Sequence, residues 1–495
     1  MRRAANLIPG VVAGVVFTAG MYIASAATGL STLPDLALQG FLRFLPGPVI
    51  GYLIDELQHA AKVLFEASTV VAMVAALAAL GAAYPALRRR NVGRFAAFVL
   101  AGVGWVLLCA VVLPVLDDGV MGLDEGGLAP LVWALLFAAY GAVLELTWSG
   151  VRPDKPTDEG RRHVLHLITM GAGGVALGFL AIRLVPSWLG SILAPPEDGV
   201  EGLSPAVTPV HNFYVVSKNL VDPTVTASDW SLSVGGLCAH PLSLALQDLR
   251  NLGHTNEYVT MECVSNGVGG LLMSTGMFTG VRLRDLVALA EPNTDANIVT
   301  FKAFDDYTES LPLSLVRSAP EILVAYDLDG AALPPEHGFP ARVVVPGRYG
   351  MKGTKWLTEI ALIASGGGGY YEAMGWDADA IVKTTSRFDV PSPWAGGVPA
   401  GIVAVGGVAF AGTRGISGVQ WSADGGGIWN SAALEPPLSP YSWTRWTGSW
   451  AVTKRGVYQL TVRARDGAGE LQTPQVMVSY PSGAAGYDTV VVVVT

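Results

Sequence analysis

Residues 334–357 read PPEHGFPARVVVPGRYGMKGTKWL. The apolar run within ARVVV, stopped by Pro346-Gly347, has the pattern of a buried strand. Arg342 leads that strand. A guanidinium taken out of water is costly unless it is partnered, and its planar fork suits an oxyanion. Lys355 adds a point charge downstream, and the Gly353-Thr354 backbone offers N–H groups between the two. His337 precedes the strand and can hydrogen-bond a ligand while neutral.

Outward from it the pattern stays mixed. WSLSVGGL (230–237) alternates as a strand does, and LSLALQDLRNL (242–252) has helical apolar spacing. EYVTMECV is strand-like and runs into the glycine-rich SNGVGG. VRLRDLVALAEP (281–292) reads as a helix ended before Pro292. NIVTFKAF, LPLSLV and EILVAYDLDG continue an α+β pattern through about residue 390. From 391 the helices disappear. GIVAVGGVAFAG, VQWSADGG, VYQLTVRARDGAG and TVVVVVT are short β runs, and the DG pairs at 424–425 and 466–467 are hairpin signals. This predicts an all-β sandwich of the immunoglobulin-like sort over 391–495.

Toward the N-terminus the composition changes. Charged residues are only 14% of the 495-residue chain, against about 25% in soluble proteins, and the deficit lies in 1–190. Five stretches reach the ~20 apolar residues of a span: 7–29, 63–86, 94–116, 127–148 and 163–187. The piece 34–58, interrupted by Pro34, Pro46 and Pro48, reads as interfacial or re-entrant. Arg2-Arg3, then Arg88, Arg89, Arg90 and Arg94, then Arg152, Lys155, Arg161 and Arg162 fall on alternate loops, whereas 117–125 has acids and no base. Positive charge stays inside, so 188–495 is expected outside. The expected architecture is multi-domain: an all-α transmembrane bundle (1–187), a linker (188–204), an α+β domain (205–390) and the sandwich (391–495). The location that follows is the cytoplasmic membrane, multi-pass, with the folded domains extracytoplasmic. Arg161-Arg162 before a Gly-rich apolar run resembles an internal twin-arginine export signal.

Several classes are excluded. A net charge of −9 and the lack of a basic stripe in 200–495 argue against nucleic acid. His59 lies near one end of the bilayer, and His163 and His166 near the other, so they cannot share a haem. Lys62, Glu66 and Glu145 sit at helix ends, which leaves no intramembrane charge for a transport path. Cys109, Cys238 and Cys263 are too few for a disulfide framework. Cys263 therefore has to be explained by its own chemistry. It sits where a strand yields to a loop of small residues, into which a large ligand can come close to the backbone.

TPVHNFY (208–214), CVSNGVGG (263–270), FDDYTESLPL (304–313), the 334–357 block and VKTTSRFDVP (382–391) occur in an order that resembles the sulfite-oxidase family of molybdopterin oxidoreductases. The resemblance covers about 205–495. It implies a pterin dithiolene carrying molybdenum, with Cys263 as the protein's thiolate ligand, which suits a thiophilic metal. It also implies cofactor contacts from His211, Asn212, Asp305, His337, Arg342, Gly353, Thr354 and Lys355, and a homodimer through the C-terminal domain. Cys238, outside the matching blocks, is expected to be structural.

The sequence departs from that family where sulfite would bind. His211 stands where sulfite oxidases place an arginine, and Asn266-Gly267-Val268 where another is expected. By count from Lys355, Trp376 occupies the place of the tyrosine near the metal, with Tyr370 and Tyr371 nearby. Arg445 in SWTRW is the one candidate substrate arginine from the sandwich. Losing this much positive charge favours a bulkier or neutral oxo compound, such as an organic sulfoxide, over a small dianion. The expected activity is two-electron oxo transfer on a small sulfur substrate. Electrons pass to or from an external carrier, cytochrome or quinone-linked. The rival reading is a non-enzymatic membrane receptor or adhesion protein with an immunoglobulin-like tip.

Overall fold

A computed structural model of the chain describes residues 7–28, 30–44, 47–89, 95–116, 121–122, 128–150, 200–219, 222–392 and 397–495. The chain separates into two compact units, one made mainly of the N-terminal helices and one that contains 222–495.

The helices are α1 (Ile8–Thr28), α2 (Leu33–Phe44), α3 (Gly47–Ala82), α4 (Ala96–Leu107) and α5 (Ala129–Gly150). Four stretches are long and apolar enough to cross a membrane: Ile8–Ser25, Leu64–Leu87, Ala96–Val115 and Ala129–Trp148. They coincide with four of the five expected spans. The fifth, 163–187, and Arg161-Arg162 lie outside the described residues. Small residues let helices approach: a Cβ on Gly81 would stand 2.8 Å from the Gly10 Cα. Tyr140 donates to the Leu77 carbonyl at 2.7 Å.

The piece expected to be interfacial or re-entrant is helical. Leu33–Phe44 is a helix, closed at its start by reciprocal Thr32–Asp35 hydrogen bonds of 3.2 and 3.3 Å. Pro48 lies in the first turn of α3, where a missing N–H costs nothing. It starts a 36-residue helix and does not break one.

The second unit opens with β1 (Leu232–Gly236), β2 (Leu242–Leu244), β3 (Thr255–Glu262), β4 (Met273–Arg282), β5 (Ile298–Ala303), β6 (Thr308–Pro312), β7 (Leu323–Leu328), β8 (Ala331–Ala332), β9 (Arg342–Val344) and β10 (Leu357–Ile363). One sheet has the order β2-β1-β10-β5-β6, with β1 and β10 parallel. The other runs β3-β4-β7-β8, with β9 paired to β7. Helices α6 (Leu246–Asn251), α7 (Leu283–Leu289) and α8 (Leu313–Ser318) complete it. Leu232, Phe301, Val324, Val343 and Ile360 join both sheets in one core. The strand read from ARVVV is β9, and all three of its residues are buried.

The C-terminal part is all β. It contains β11 (Thr385–Val390), β12 (Gly401–Phe410), β13 (Ile416–Ser422), β14 (Asn430–Ser431), β15 (Ala433–Leu434), β16 (Thr444–Val452), β17 (Gly456–Asp466) and β18 (Asp488–Val494). Two four-stranded antiparallel sheets, β11-β12-β16-β15 and β14-β13-β17-β18, enclose a shared core. The first DG pair turns β13 into β14; the second makes a tight turn closed by the Arg465–Leu471 bridge. Trp446, fully buried, fills the core against Phe388 at 5.3 Å between ring centroids. Trp446→Ala is expected to cost about 3–5 kcal/mol, as large-to-small core changes do, read as a lowered midpoint in denaturant unfolding of the detergent-solubilised protein.

Candidate active site

Cys263 directly follows β3 and is buried, its N–H donating to the Leu272 carbonyl at 3.0 Å. Its Sγ lies 3.0 Å from Ser265 Oγ. The loop that follows is shaped by Asn266, which donates to Glu262 Oε1 at 2.9 Å and accepts from the Leu272 N–H at 2.9 Å. The sandwich grips the same loop. Arg387 of β11 donates to the Gly270 carbonyl and to Ser204 Oγ, each at 3.0 Å, and pairs with Asp389 at 2.9 Å. Asp488 of β18 packs against Gly269, where a Cβ would come within 2.4 Å of its carboxylate. Burial pushes the Glu262 carboxyl up to about 7, against the pull of Asn266 and Arg387.

Three tyrosines feel the charge of Cys263. Tyr214, Tyr349 and Tyr371 are all held well above the usual phenol range, first by burial and in part by the negative charge of Cys263. They therefore stay neutral and able to donate.

A second group forms around Arg342. Its guanidinium donates to the His337 carbonyl at 3.0 Å and to the Gly353 carbonyl at 3.3 Å. Val343 N–H bonds the Thr354 carbonyl, and Lys355 donates to the Glu336 carbonyl at 2.9 Å. His337, Arg342, Gly353, Thr354 and Lys355 are thus together. Burial pushes Arg342 down to about 10. Burial first, then Arg342 and Lys355, push His337 down to about 4, against a hydrogen bond with the Val210 backbone. His337 is neutral at any physiological pH. Tyr214 joins the two groups, since it feels both Cys263 and Arg342.

The remaining expected residues are placed as follows. His211 and Asn212 lie in the turn Val210–Asn212, next to Phe213, whose ring meets His337 edge-on at 5.2 Å. Asp305 turns the chain after β5, accepting from Tyr307 N–H at 3.2 Å, and its charge acts on Tyr371. Trp376 is buried with Val264, Met273 and Tyr349 and packs on Tyr480. Arg445 is paired with Glu435 at 3.4 Å. It stands opposite Val408 across the β12–β16 pair, so it shares the face on which Val408 packs into the Trp376 cluster. The sequence reading did not single out Tyr214, Tyr349 or Glu262. Glu262 adjoins Cys263 in the sequence, but only folding brings the tyrosines in.

The site fits a large polar ligand. Arg342 Nε, Thr354 Oγ1 and Trp376 Nε1 are buried and find no hydrogen-bond partner among the described residues. Buried donors are rarely left so, and a buried cation lacking an anion is costly. Among the described residues no three His, Cys, Asp or Glu side chains gather as a metal site. A metal at Cys263 must therefore bring further ligands with its cofactor.

Residues 219–371 match the oxidoreductase molybdopterin binding domain family, a segment that contains Cys263, Asp305, His337, Arg342 and Lys355. The chain is a sulfite-oxidase-like molybdenum oxidoreductase. Sulfite oxidase of Gallus gallus is 29% identical over 326 residues, which cover 57% of this chain and 71% of that protein. The protein-methionine-sulfoxide reductase catalytic subunit MsrP of Ralstonia nicotianae is 29% identical over 244 residues, 43% of this chain and 72% of that one. The sulfane dehydrogenase SoxCD of Paracoccus pantotrophus has the same fold, with a TM-score of 0.52 at 20% identity over 63% of this chain and 92% of its own. The oxidoreductase uses the molybdopterin–molybdenum cofactor, and the receptor reading is set aside.

Arg342→Met should separate ligand holding from stability. Removing an unneutralised buried cation is expected to change the stability of the cofactor-free protein by less than about 1 kcal/mol, since such replacements are often neutral. Molybdenum retention should be lost. Denaturant unfolding beside metal analysis checks both.

Proposed function

We propose that the protein is a membrane-anchored, extracytoplasmic enzyme performing two-electron oxo transfer on a small, uncharged sulfur–oxygen compound of the sulfoxide type. The observation that carries the reading is the set of buried donors without partners, Arg342 Nε and Thr354 Oγ1, in the fold that also buries Cys263. In this reading 1–187 anchors the chain, 188–204 links, 205–390 holds the cofactor and 391–495 is an immunoglobulin-like dimerisation domain.

Cys263 would supply the thiolate to molybdenum. Arg342, Lys355, Thr354 and the Gly353 backbone would hold the pterin's phosphate, His337 would hydrogen-bond the cofactor as a neutral imidazole, and Asp305 would accept from pterin N–H groups. His211 and Asn212 would border it. When bound, the cofactor supplies the two-electron redox chemistry and the site of oxygen exchange. The chain's own residues do the rest. Tyr214, Tyr349 and Tyr371 stay protonated and can donate to a substrate oxygen. Val264, Met273 and Trp376 exclude water from that side. Reduction of a sulfoxide takes up two protons and two electrons and releases water and the thioether; the electrons come one at a time from a cytochrome or a quinone-linked carrier.

Two features support a neutral substrate. No arginine stands in 264–272 after Cys263, and the charge of Arg445 is countered by Glu435 at 3.4 Å, although its buried Nε makes no hydrogen bond among the described residues. One relative, MsrP, is named for protein methionine sulfoxide. The four apolar helices and the alternation of basic loops support the anchor and its orientation.

Purified protein from a cofactor-competent host is expected to hold about one molybdenum per chain by plasma mass spectrometry. Cys263→Ser should lose at least ~100-fold in activity, in keeping with removal of a metal ligand's chemistry. A wild type with neither molybdenum nor tungsten would sink the reading. Turnover of sulfite above that of methyl sulfoxides would overturn the substrate choice. An export-dependent alkaline phosphatase fused after Thr495 should be active; inactive fusions there and at 117–125 beside an active one at 88–94 would reverse the orientation.

A further inference from the structure

Lys352 and Glu309 are almost wholly enclosed, with side-chain exposures of 2% and 0%. The Lys352 ammonium lies 2.7 Å from Glu309 Oε1, pairs with Glu372 Oε1 and donates to the Ser310 carbonyl at 3.3 Å. Three segments meet here, and each adjoins the site. Glu309 is in β6, just beyond Asp305 and Tyr307. Lys352 ends the turn Gly350–Lys352 and abuts Gly353. Glu372 follows Tyr371 and opens the turn Glu372–Met374. Gly369 lets the third segment close in, since a Cβ there would stand 2.5 Å from Glu309 Oε2.

The charge count is uneven. Two carboxylates share one ammonium, and full ionisation would leave an extra negative charge out of water, which is disfavoured. One carboxyl therefore keeps a proton. Glu309 is the more enclosed. Burial pushes it up to about 7 despite the pull of Lys352 and the Ser310 N–H. Glu372 is lowered: burial opposes this, but Lys352, the Gly369 backbone and a hydrogen bond with Glu309 prevail. Tyr307, Tyr371 and Asp305 face the same region, and Tyr307 is raised by burial and then by Glu309. Its hydroxyl donates to the Met351 carbonyl at 2.5 Å, and its ring lies 5.9 Å from that of Tyr371.

We propose that Lys352, held between Glu309 and Glu372, is a positioning residue that locks the cofactor segment Gly353–Lys355 to the segment carrying Tyr371. The claim rests on the cofactor reading above. The ionised partner is Glu372, and Glu309 is the neutral member. At distances set by a buried ion pair, a small slip of either segment moves Tyr371 relative to Cys263.

The test uses the full-length enzyme as wild type, K352M, K352R, E372Q and E309Q, with molybdenum content, kcat, KM and the pH dependence of thermal unfolding of the cofactor-free form as readouts. K352M and E372Q are expected to lose about 100-fold in kcat with KM changed less than ~3-fold, the pattern of misplaced groups. K352R should recover part of the loss. A raised carboxyl gives stability that is complete below its ordinary value and lost as pH rises through the folded value. The wild-type melting temperature should therefore fall between about pH 4.5 and 7, and E309Q should make that fall shallower, the remainder coming from Glu262, which burial also raises to about 7. K352M that loads molybdenum and keeps wild-type kcat would overturn the positioning role. E309Q with an unchanged pH slope would move the proton elsewhere. Should K352M misfold, E309Q/K352M/E372Q is free of buried charge; folded and loaded, it should still be slow, and full kcat would refute the proposal. A wild type without molybdenum would instead fail the cofactor reading, while the pH melts would still decide the triad.

Discussion

A guanidinium is buried at the start of β9 with two of its nitrogens on main-chain carbonyls and its Nε without a hydrogen-bond partner among the described residues. Carbonyl dipoles solvate a cation in part, but they do not neutralise it. The structure tolerates Arg342 because β9 is pinned on β7 by the register Arg342–Ala325 through Val344–Leu323, and because Val343 and Leu357 bond the Thr354 and Ala341 carbonyls. Those bonds force the intervening residues 345–356 into a loop that returns Gly353 to the guanidinium. The site is therefore built around a charge that an anionic ligand has to complete. His337 is held neutral beside it, first by its own burial and then by the neighbouring cation.

Much of this was legible before any coordinates, and what was legible has a common character. Features carried by contiguous residues came through: β9 from its uninterrupted apolar run, the loop after Cys263 from its small residues, four helices from runs of apolar residues as long as a bilayer is thick. The change from α+β to all-β near 391 was also visible in composition. Features assembled from distant residues were not. Tyr214, Tyr349 and Tyr371 come from three separate segments, and no local pattern marks the first two. The trio Glu309, Lys352 and Glu372 looks like three ordinary surface charges until the fold encloses it. At 34–58 the prolines do not by themselves say whether they break a helix or start one. Proline ends a helix from within but suits its first turn, and only knowing where α3 begins distinguishes the two.

The two layers of the C-terminal part do more than pack on each other. Arg387 on β11 reaches back to the Gly270 carbonyl and to Ser204, and Asp488 on β18 fills the space that Gly269 leaves open. Val408 and Phe410 of β12 share a cluster with Val264 and Met273, which flank the Cys263 loop. The thiol's surroundings are thus half furnished by a region whose own core is separate.

That arrangement has a consequence for the order in which the molecule is made. The loop bearing Cys263 leaves the ribosome long before Asp488, the first residue of the last strand. Until that strand arrives, one wall of the loop is missing, and its shape depends on chain that does not yet exist. The surroundings of Cys263 are therefore complete only once the seven-residue strand Asp488–Val494 has been made.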